Sequence, residues 1–330
     1  MRPDIPPPLF FLDRLAGLWQ LHTMRACCEL GVPDQLNAGP LSIDEIAQGT
    51  GTSPEHLYRM MRALADIGVF AETAPRTFGH TALSEMLRAD LPGSFRWMLL
   101  AELAPERFPA WFALPDSIRT GDIAYDKVNG KNIWEYYRDD NPGQGEAFSR
   151  WMTGASHAMI EAIHHAFNFS HYQTVVDIAG GQGALLASIL DRNPHQRGIL
   201  FDLPEVVARA VEHPRVQRVG GSFFESVPEG GDLYTLKWII HDWEESKAVE
   251  ILSNVRRAMK PGAHLMLIEG VVSESGEPDF VKWMDINMLV MVGGRERTAS
   301  EYEALLSKSG FKLDRIVPTQ SMPSLILATV

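Results

Sequence analysis

The hydrophobic positions of this chain keep two different rhythms, and the change falls between about residues 165 and 172. In the first half apolar residues recur at helical spacing, broken by Pro and Gly at GVPDQLNAGP, LPGSF and DNPGQG, and no sustained strand alternation is expected. Within it, Ser42 and Ser53 are candidate helix caps and Pro54 a first helical residue, with Leu57, Met60, Met61, Leu64 and Ile67 on one face. In the second half, VVDIA, RGILFD, DLYTLKWII and AHLMLIEG are apolar runs of strand length. Helical stretches near 184–191, 204–212 and 246–259 separate them, which predicts an α/β domain with a doubly wound parallel sheet. The spacing from Thr298 to Glu301 is a capping box opening a further helix; FKLDRIVP and SLILATV then form an antiparallel edge hairpin. In such sheets ligands bind at the carboxyl ends of the strands.

One strand end carries a glycine turn, VVDIAGGQGALLASIL. Gly181 and Gly183 supply a G-x-G, but Leu186 holds the third glycine position and Asp177 stands just before the turn. A carboxylate beside a helix N-terminus repels a pyrophosphate and favours a ligand that presents a cation. Strand two ends at Asp202, a side chain that can accept both hydroxyls of a ribose or cap a helix starting at Pro204. Taken together, Asp177, the turn and Asp202 suit a nucleoside with a cationic tail and no phosphate, which is S-adenosylmethionine.

Composition narrows the partners. Thirty Lys and Arg stand against 42 Asp and Glu, a net charge of −12, so the broad basic surface that nucleic-acid binding needs is missing. Residues 41–90, which with TFGHTAL resemble a winged helix, hold four Arg and no Lys against seven Asp or Glu. They read as a structural or dimerising module rather than a DNA reader. Cys27 and Cys28 are adjacent and staple nothing, which points to the cytoplasm. The run LFFLDRLAGLWQLHTMRACCEL is interrupted by Asp13, Arg14, Gln20, His22 and Arg25, so it fits neither signal peptide nor membrane span. It is expected to be a helix buried at a homodimer interface around Phe10, Phe11, Leu15 and Trp19.

Several motifs together resemble the dimeric small-molecule O-methyltransferases of the caffeic acid and hydroxyindole type, with bacterial secondary-metabolite relatives. VVDIAGGQG is similar to that family's VDVGGGTG, FDLPEVV to its FDLP, GGSFFESVP to its GGDMF, LKWIIHDWEE to its KWILHDW, and GGRERT to its loop of the same letters. The resemblance implies a Rossmann-like class I methyltransferase domain over 166–330, a helical dimerisation domain with a winged-helix-like module over 1–110, and a helical linker to the substrate pocket over 111–165. It also implies that Ser222 and Phe223 flank the adenine, that Lys237 lies on the cofactor, and that His241 is the general base, oriented by Glu269 and Glu296. Phe148, Met152 and Ser156, in FSRWMTGAS, match a helix that touches substrate and cofactor, and Asp242, Met284 and Met288 are placed with the substrate.

Two positions depart from the family pattern. Ala179 replaces the first glycine, tolerable where φ is negative, and Ser222 replaces an aspartate near the adenine. A base with an ordinary pKa of about 6.5, made more basic by a carboxylate, suits removal of a phenolic proton. His157, Glu161, His164 and His165 share helical spacing and could hold a metal, but packing or solvation is the plainer account, and the family needs no metal. Trp283, Met284, Met288 and Met291 are either core or pocket wall. The sequence thus predicts methyl transfer from S-adenosylmethionine to a phenolic hydroxyl of an aromatic small molecule. The competing expectation is an enzyme that keeps the cofactor but performs hydroxylation or a pericyclic step.

Overall fold

A computed structural model describes residues 6–330 other than Pro92 and Val211; the side chains of His157 and Ala158 lie outside the described residues. The chain forms two compact units, each built from two segments: residues 1–108 with 134–154, and 109–133 with 155–330.

The first unit is mainly helical. Ser42 caps the helix Ile43–Thr50 in a full capping box with Glu45, and Pro54 opens the helix Pro54–Asp66. Ser53 sits at the N-cap of that second helix but its side chain makes no capping bond. Leu57, Met61 and Leu64 are buried with Ile43, Ile46, Phe70, Phe78 and both cysteines, while Met60 and Ile67 pack at the margin. Three short strands also occur here: β1 (Leu41–Ser42), β2 (Phe70–Ala74) and β3 (Thr77–His80) make a small antiparallel sheet in the order β1-β3-β2, none of them long enough to sustain an alternation. Their shortness hides them from a periodicity reading. The helix Pro7–Glu29 buries only Cys27 and Cys28, and leaves Phe11 71% and Trp19 62% exposed. No described helix is long and apolar enough to cross a membrane.

The second unit is a seven-stranded sheet built from β4 (Thr174–Ile178), β5 (Arg197–Asp202), β6 (Val216–Gly220), β7 (Leu233–Lys237), β8 (His264–Glu269), β9 (Lys312–Pro318) and β10 (Ser324–Thr329). Their order is β6-β5-β4-β7-β8-β10-β9; the first five are parallel, and β10 runs antiparallel to both neighbours. Alternate residues feed two cores. Val175, Leu200 and Leu233 pack under the helices Pro142–Ala166 and Ala184–Arg192, and Val176, Tyr234 and Leu265 under Glu245–Ala258 and Ala299–Lys308.

Three second-half expectations need correction. The helix expected at 204–212 spans only Pro204–Val207; beyond it the Arg209 and Ala210 amides bond three residues back, to the Val206 and Val207 carbonyls, as turns rather than α-helix. The edge strand β6 was not expected, because its residues are half-exposed or exposed and give little hydrophobic signal. DLYTLKWII does not continue as a strand: the chain leaves the sheet after Lys237 through Trp238 in a left-handed conformation, φ +55°.

Candidate active site

β4 and β7 are neighbours although the chain visits β5 and β6 between them, so connections leave in opposite directions and a crevice opens at their carboxyl ends. The glycine turn follows β4. Ala179, Gly181 and Gly183 have φ of +52°, +61° and +85°, so the negative φ that would make an alanine unstrained at 179 is not met. An L-residue there costs on the order of 1–2 kcal/mol. Gly180 is constrained differently: a Cβ would lie 2.5 Å from Asp177 Oδ2 and 2.6 Å from Leu200 Cδ1.

Asp177 is buried beneath this turn, its Oδ1 accepting from the Thr235 hydroxyl at 2.7 Å. Burial pushes its pKa up to about 6, against the Thr235 bond and the nearby Lys237. Burial lowers the Lys237 pKa, and Asp177 and Glu269 oppose that. At the end of β5, Asp202 Oδ2 accepts the Gly181 N–H at 2.8 Å and Oδ1 the Leu203 N–H at 2.7 Å, while burial raises its pKa. The helix-cap reading is not borne out, since the N-cap of Pro204–Val207 is Leu203 with no side-chain capping bond; each Asp202 oxygen keeps a second lone pair that a ligand hydroxyl can use. Two strand-end carboxylates, a lysine and a glycine turn fit a zwitterionic, phosphate-free nucleoside.

His241 sits in a 3₁₀ turn, Ile240–Asp242, just beyond β7. It is 6% exposed; its Nδ1 lies 2.6 Å from Glu296 Oε1 and its Nε2 3.4 Å from Asp242 Oδ1. With Nδ1–H donating to Glu296, Nε2 is the atom that can take a proton. Burial opposes charging of the imidazole, but Asp242, Glu269 and Glu296 outweigh it and push the pKa up to about 10. Burial also raises Asp242 to about 6 and Glu269 to about 7, with His241 pulling the other way in both.

Glu269 was expected to orient the imidazole itself, and the structure gives it a different hold. Its Oε1 accepts the N–H groups of Ile239 and Ile240 at 3.0 and 2.8 Å, so it fixes the backbone of the turn rather than the ring. Donor atoms of His241, Glu269 and Glu296 all lie within 4.8 Å of one another.

The GGRERT loop closes on this turn. The Arg295 N–H donates to the His241 carbonyl at 2.8 Å, and Asp285 Oδ1 accepts the Glu296 N–H at 2.8 Å. Gly294 packs so tightly that a Cβ would lie 1.9 Å from the His241 oxygen. Gly294, Asp285 and Trp238, whose ring centroid is 4.9 Å from that of His241, were missed from sequence. The glycine at least was visible, since it stands inside a motif read only for its glutamate.

The other predicted residues scatter. Ser222 and Phe223 follow β6; the Ser222 hydroxyl accepts the Phe224 N–H at 3.3 Å, and Phe223 meets Trp243 edge-on at 5.9 Å. Ser156 is buried on the helix Pro142–Ala166. On Val281–Met291, Met288 and Met291 are buried and Met284 half-buried, but Trp283 is 72% exposed and is not core. Phe148 and Met152 lie in the first unit, where the Phe148 ring is 5.6 Å from both Trp134 and Tyr137. Of the alternative metal constellation, the His157 side chain lies outside the described residues. His164 Nε2 is 2.7 Å from the Ser188 hydroxyl, burial lowers its pKa to about 4, and Glu161 pairs with Arg192.

A mostly parallel sheet whose one antiparallel strand, β10, lies next to its edge, strand-end residues that suit a phosphate-free nucleoside and an adjacent buried histidine define a class I methyltransferase. Comparison with known proteins narrows this. Residues 111–312 match the model of the O-methyltransferase domain and residues 12–90 that of the O-methyltransferase dimerisation domain. The chain is 37% identical to the phenazine O-methyltransferase PhzM of Lysobacter antibioticus, over 98% of this chain and 96% of that protein. It is 35% identical to the mitomycin biosynthesis 6-O-methyltransferase of Streptomyces lavendulae, over 94% and 91%. The crystal structure of human N-acetylserotonin methyltransferase with S-adenosylmethionine superposes with a TM-score of 0.90 at 27% identity, covering 100% of this chain and 99% of that one. The chain belongs to the O-methyltransferase family and uses S-adenosylmethionine as its cofactor.

Proposed function

We propose that the enzyme methylates a phenolic hydroxyl of an aromatic small molecule, with His241 Nε2 as the general base. The observation that carries this is the 2.6 Å bond from His241 Nδ1 to Glu296, which leaves Nε2 as the proton acceptor. Glu296 orients the ring, Glu269 holds the turn, and Asp242 faces the same nitrogen. Relatives named for phenazine and mitomycin support an aromatic acceptor.

On the cofactor side, Asp177 and Lys237 would hold the amino acid end and Asp202 the ribose. The turn Ala179–Gly183 would lie beneath the methionine portion, Ser222 and Phe223 would flank the adenine, and Ser156 would lie nearby. When bound, S-adenosylmethionine supplies an electrophilic methyl group. The protein's part is to hold the acceptor oxygen in line and take its proton at Nε2, and alignment alone is worth up to about 7–11 kcal/mol in the best cases. Met284 and Met288 are the acceptor-side candidates on their helix; for Phe148 and Met152 the support is the motif FSRWMTGAS alone. The dimerisation-domain match and the exposed apolar face of the first helix support a homodimer, and two adjacent free cysteines that staple nothing favour the cytoplasm.

The test is release of S-adenosylhomocysteine with two phenols of different acidity. His241→Gln should lower transfer to the weakly acidic phenol by about 10²–10⁴-fold, the usual worth of a general base, and spare an acceptor already ionised at neutral pH. Because the His241 pKa is raised to about 10, wild-type kcat/KM for the weak phenol should climb as pH rises above 7 rather than level off there. If the mutant matches wild type on the weak phenol, the base assignment fails. If neither protein consumes cofactor with any acceptor, the non-methylating chemistry takes its place.

A further inference from the structure

The turn that presents His241 is poorly held by its own hydrogen bonds. Asp242 N–H to the Ile239 carbonyl is 3.2 Å, and Trp243 N–H to the Ile240 carbonyl is 3.4 Å. What fixes it comes from outside, and one large contributor lies in the GGRERT loop. Arg297 is fully buried. Its Nη1 donates to the Ile240 carbonyl at 3.2 Å and its Nη2 to the Trp243 carbonyl at 3.3 Å, which brackets the base and Asp242. Nη1 also donates to the Arg295 carbonyl at 3.2 Å. The backbone of Arg297 is anchored independently: its carbonyl accepts the Val272 N–H at 2.9 Å, and it forms a parallel bridge with Val271, two residues past Glu269.

We propose that Arg297 is a positioning residue for the reaction, its guanidinium clamping both ends of the His241 turn so that Nε2 is aimed at the acceptor. The residue Ile240 is gripped at both polar atoms, its N–H by the Glu269 carboxylate at 2.8 Å and its carbonyl by the Arg297 guanidinium. A buried guanidinium spent on backbone carbonyls, with Nε–H left without a partner, is a costly way to fill space, and an apolar residue of that volume would stabilise the fold as well or better. A rigid planar fork holds two carbonyls three residues apart in one fixed geometry; the lysine ammonium has three donors but turns freely on a flexible stem and fixes no such geometry.

This inference rests on His241 being the base, and a double-mutant cycle separates the two ideas. The proteins are wild type, Arg297→Lys, His241→Gln and the double variant, assayed with a weakly acidic phenol, alongside calorimetry with S-adenosylhomocysteine and thermal melting. Arg297→Lys should lower kcat by up to about 10²-fold, the cost of roughly 1 Å of misplacement, while leaving KM and S-adenosylhomocysteine affinity little changed. The pH at which the rate rises should shift, because the carboxylates around the imidazole move relative to it. In the His241→Gln background the same substitution should add no more than about twofold, the error expected of uncoupled changes. If the lysine variant does not fold, Arg297→Gln, which keeps a donor for one carbonyl, replaces it in the cycle. A folded Arg297 variant with wild-type kcat overturns the proposal, as does an undiminished loss in the His241→Gln background or an equal loss of cofactor affinity. Wild-type activity in His241→Gln alone would sink both readings.

Discussion

Asp177→Asn should stabilise the ligand-free enzyme and weaken its grip on the cofactor. The carboxylate is buried, and its pKa stands at about 6 instead of its ordinary 3.8. Holding the charge at pH 7.5 therefore costs on the order of 3 kcal/mol. The sign follows from the direction: a carboxyl raised by folding is no burden below its ordinary pKa, becomes one as pH climbs to about 6, and stays one above. Asparagine removes the charge and can still accept from Thr235, but it leaves Lys237 with Glu269 as its nearby anion, so the net gain should be nearer 1–2 kcal/mol. Thermal melting of both proteins from pH 4.5 to 8 reads this directly. The mutant's advantage should grow between about pH 4 and 6 and then hold. Loss of one charged hydrogen-bond acceptor should weaken S-adenosylhomocysteine binding by about 1.5–3 kcal/mol, roughly ten- to a hundredfold, and shrink the ligand-induced rise in Tm. A mutant that melts below wild type at every pH without ligand, or that binds as tightly, would refute the reasoning.

Three further perturbations follow from the same geometry. Asp202→Ala should weaken S-adenosylhomocysteine binding by about 1.5–3 kcal/mol and also orphan the Gly181 and Leu203 N–H groups; unchanged affinity in calorimetry of a folded mutant would take Asp202 out of the site. Gly294→Ala forces a Cβ into the His241 carbonyl, so a folded mutant should lose about 10²-fold in kcat while keeping the cofactor; wild-type turnover would show the turn to be looser than its packing implies. Removing residues 1–30 takes away the exposed Phe11 and Trp19 along with the buried cysteines, and the protein should aggregate or fall to monomer; a fully dimeric soluble product by light scattering would place the interface elsewhere.

The parts of this molecule legible in its sequence are those with a strong local signal. Thr298 forms its capping box with Glu301 as spacing alone predicts, and RGILFD is a strand over its whole length, its apolar run burying Gly198, Leu200 and Phe201 on the two faces. The parts that were not legible depend on neighbours distant in sequence. β6 is an edge strand whose apolar residues are few, and Glu269 turned out to hold two backbone amides that no side-chain pattern can reveal. Arg297 stood inside a recognised motif, but the carbonyls it serves lie 57 and 54 residues away.

Two strained residues stand at the carboxyl ends of central strands, and the fold tolerates them for one reason. Ala179 and Trp238 are two of the three non-glycine residues with positive φ among those described, and they follow β4 and β7, the neighbouring strands at which the connections diverge. A chain that continued straight at either point would extend the sheet across the crevice. At Ala179 the reversal lets Gly181 and Gly183 follow with positive φ and brings the Gly181 amide to Asp202. At Trp238 it swings the next three residues into the turn that carries His241, while the indole N–H reaches Met159 Sδ at 3.3 Å. A left-handed residue costs on the order of 1–2 kcal/mol, small beside the alignment each turn provides. Replacing Ala179 by glycine would relieve the strain at one of these points without disturbing the other, since the two turns are held by separate hydrogen bonds.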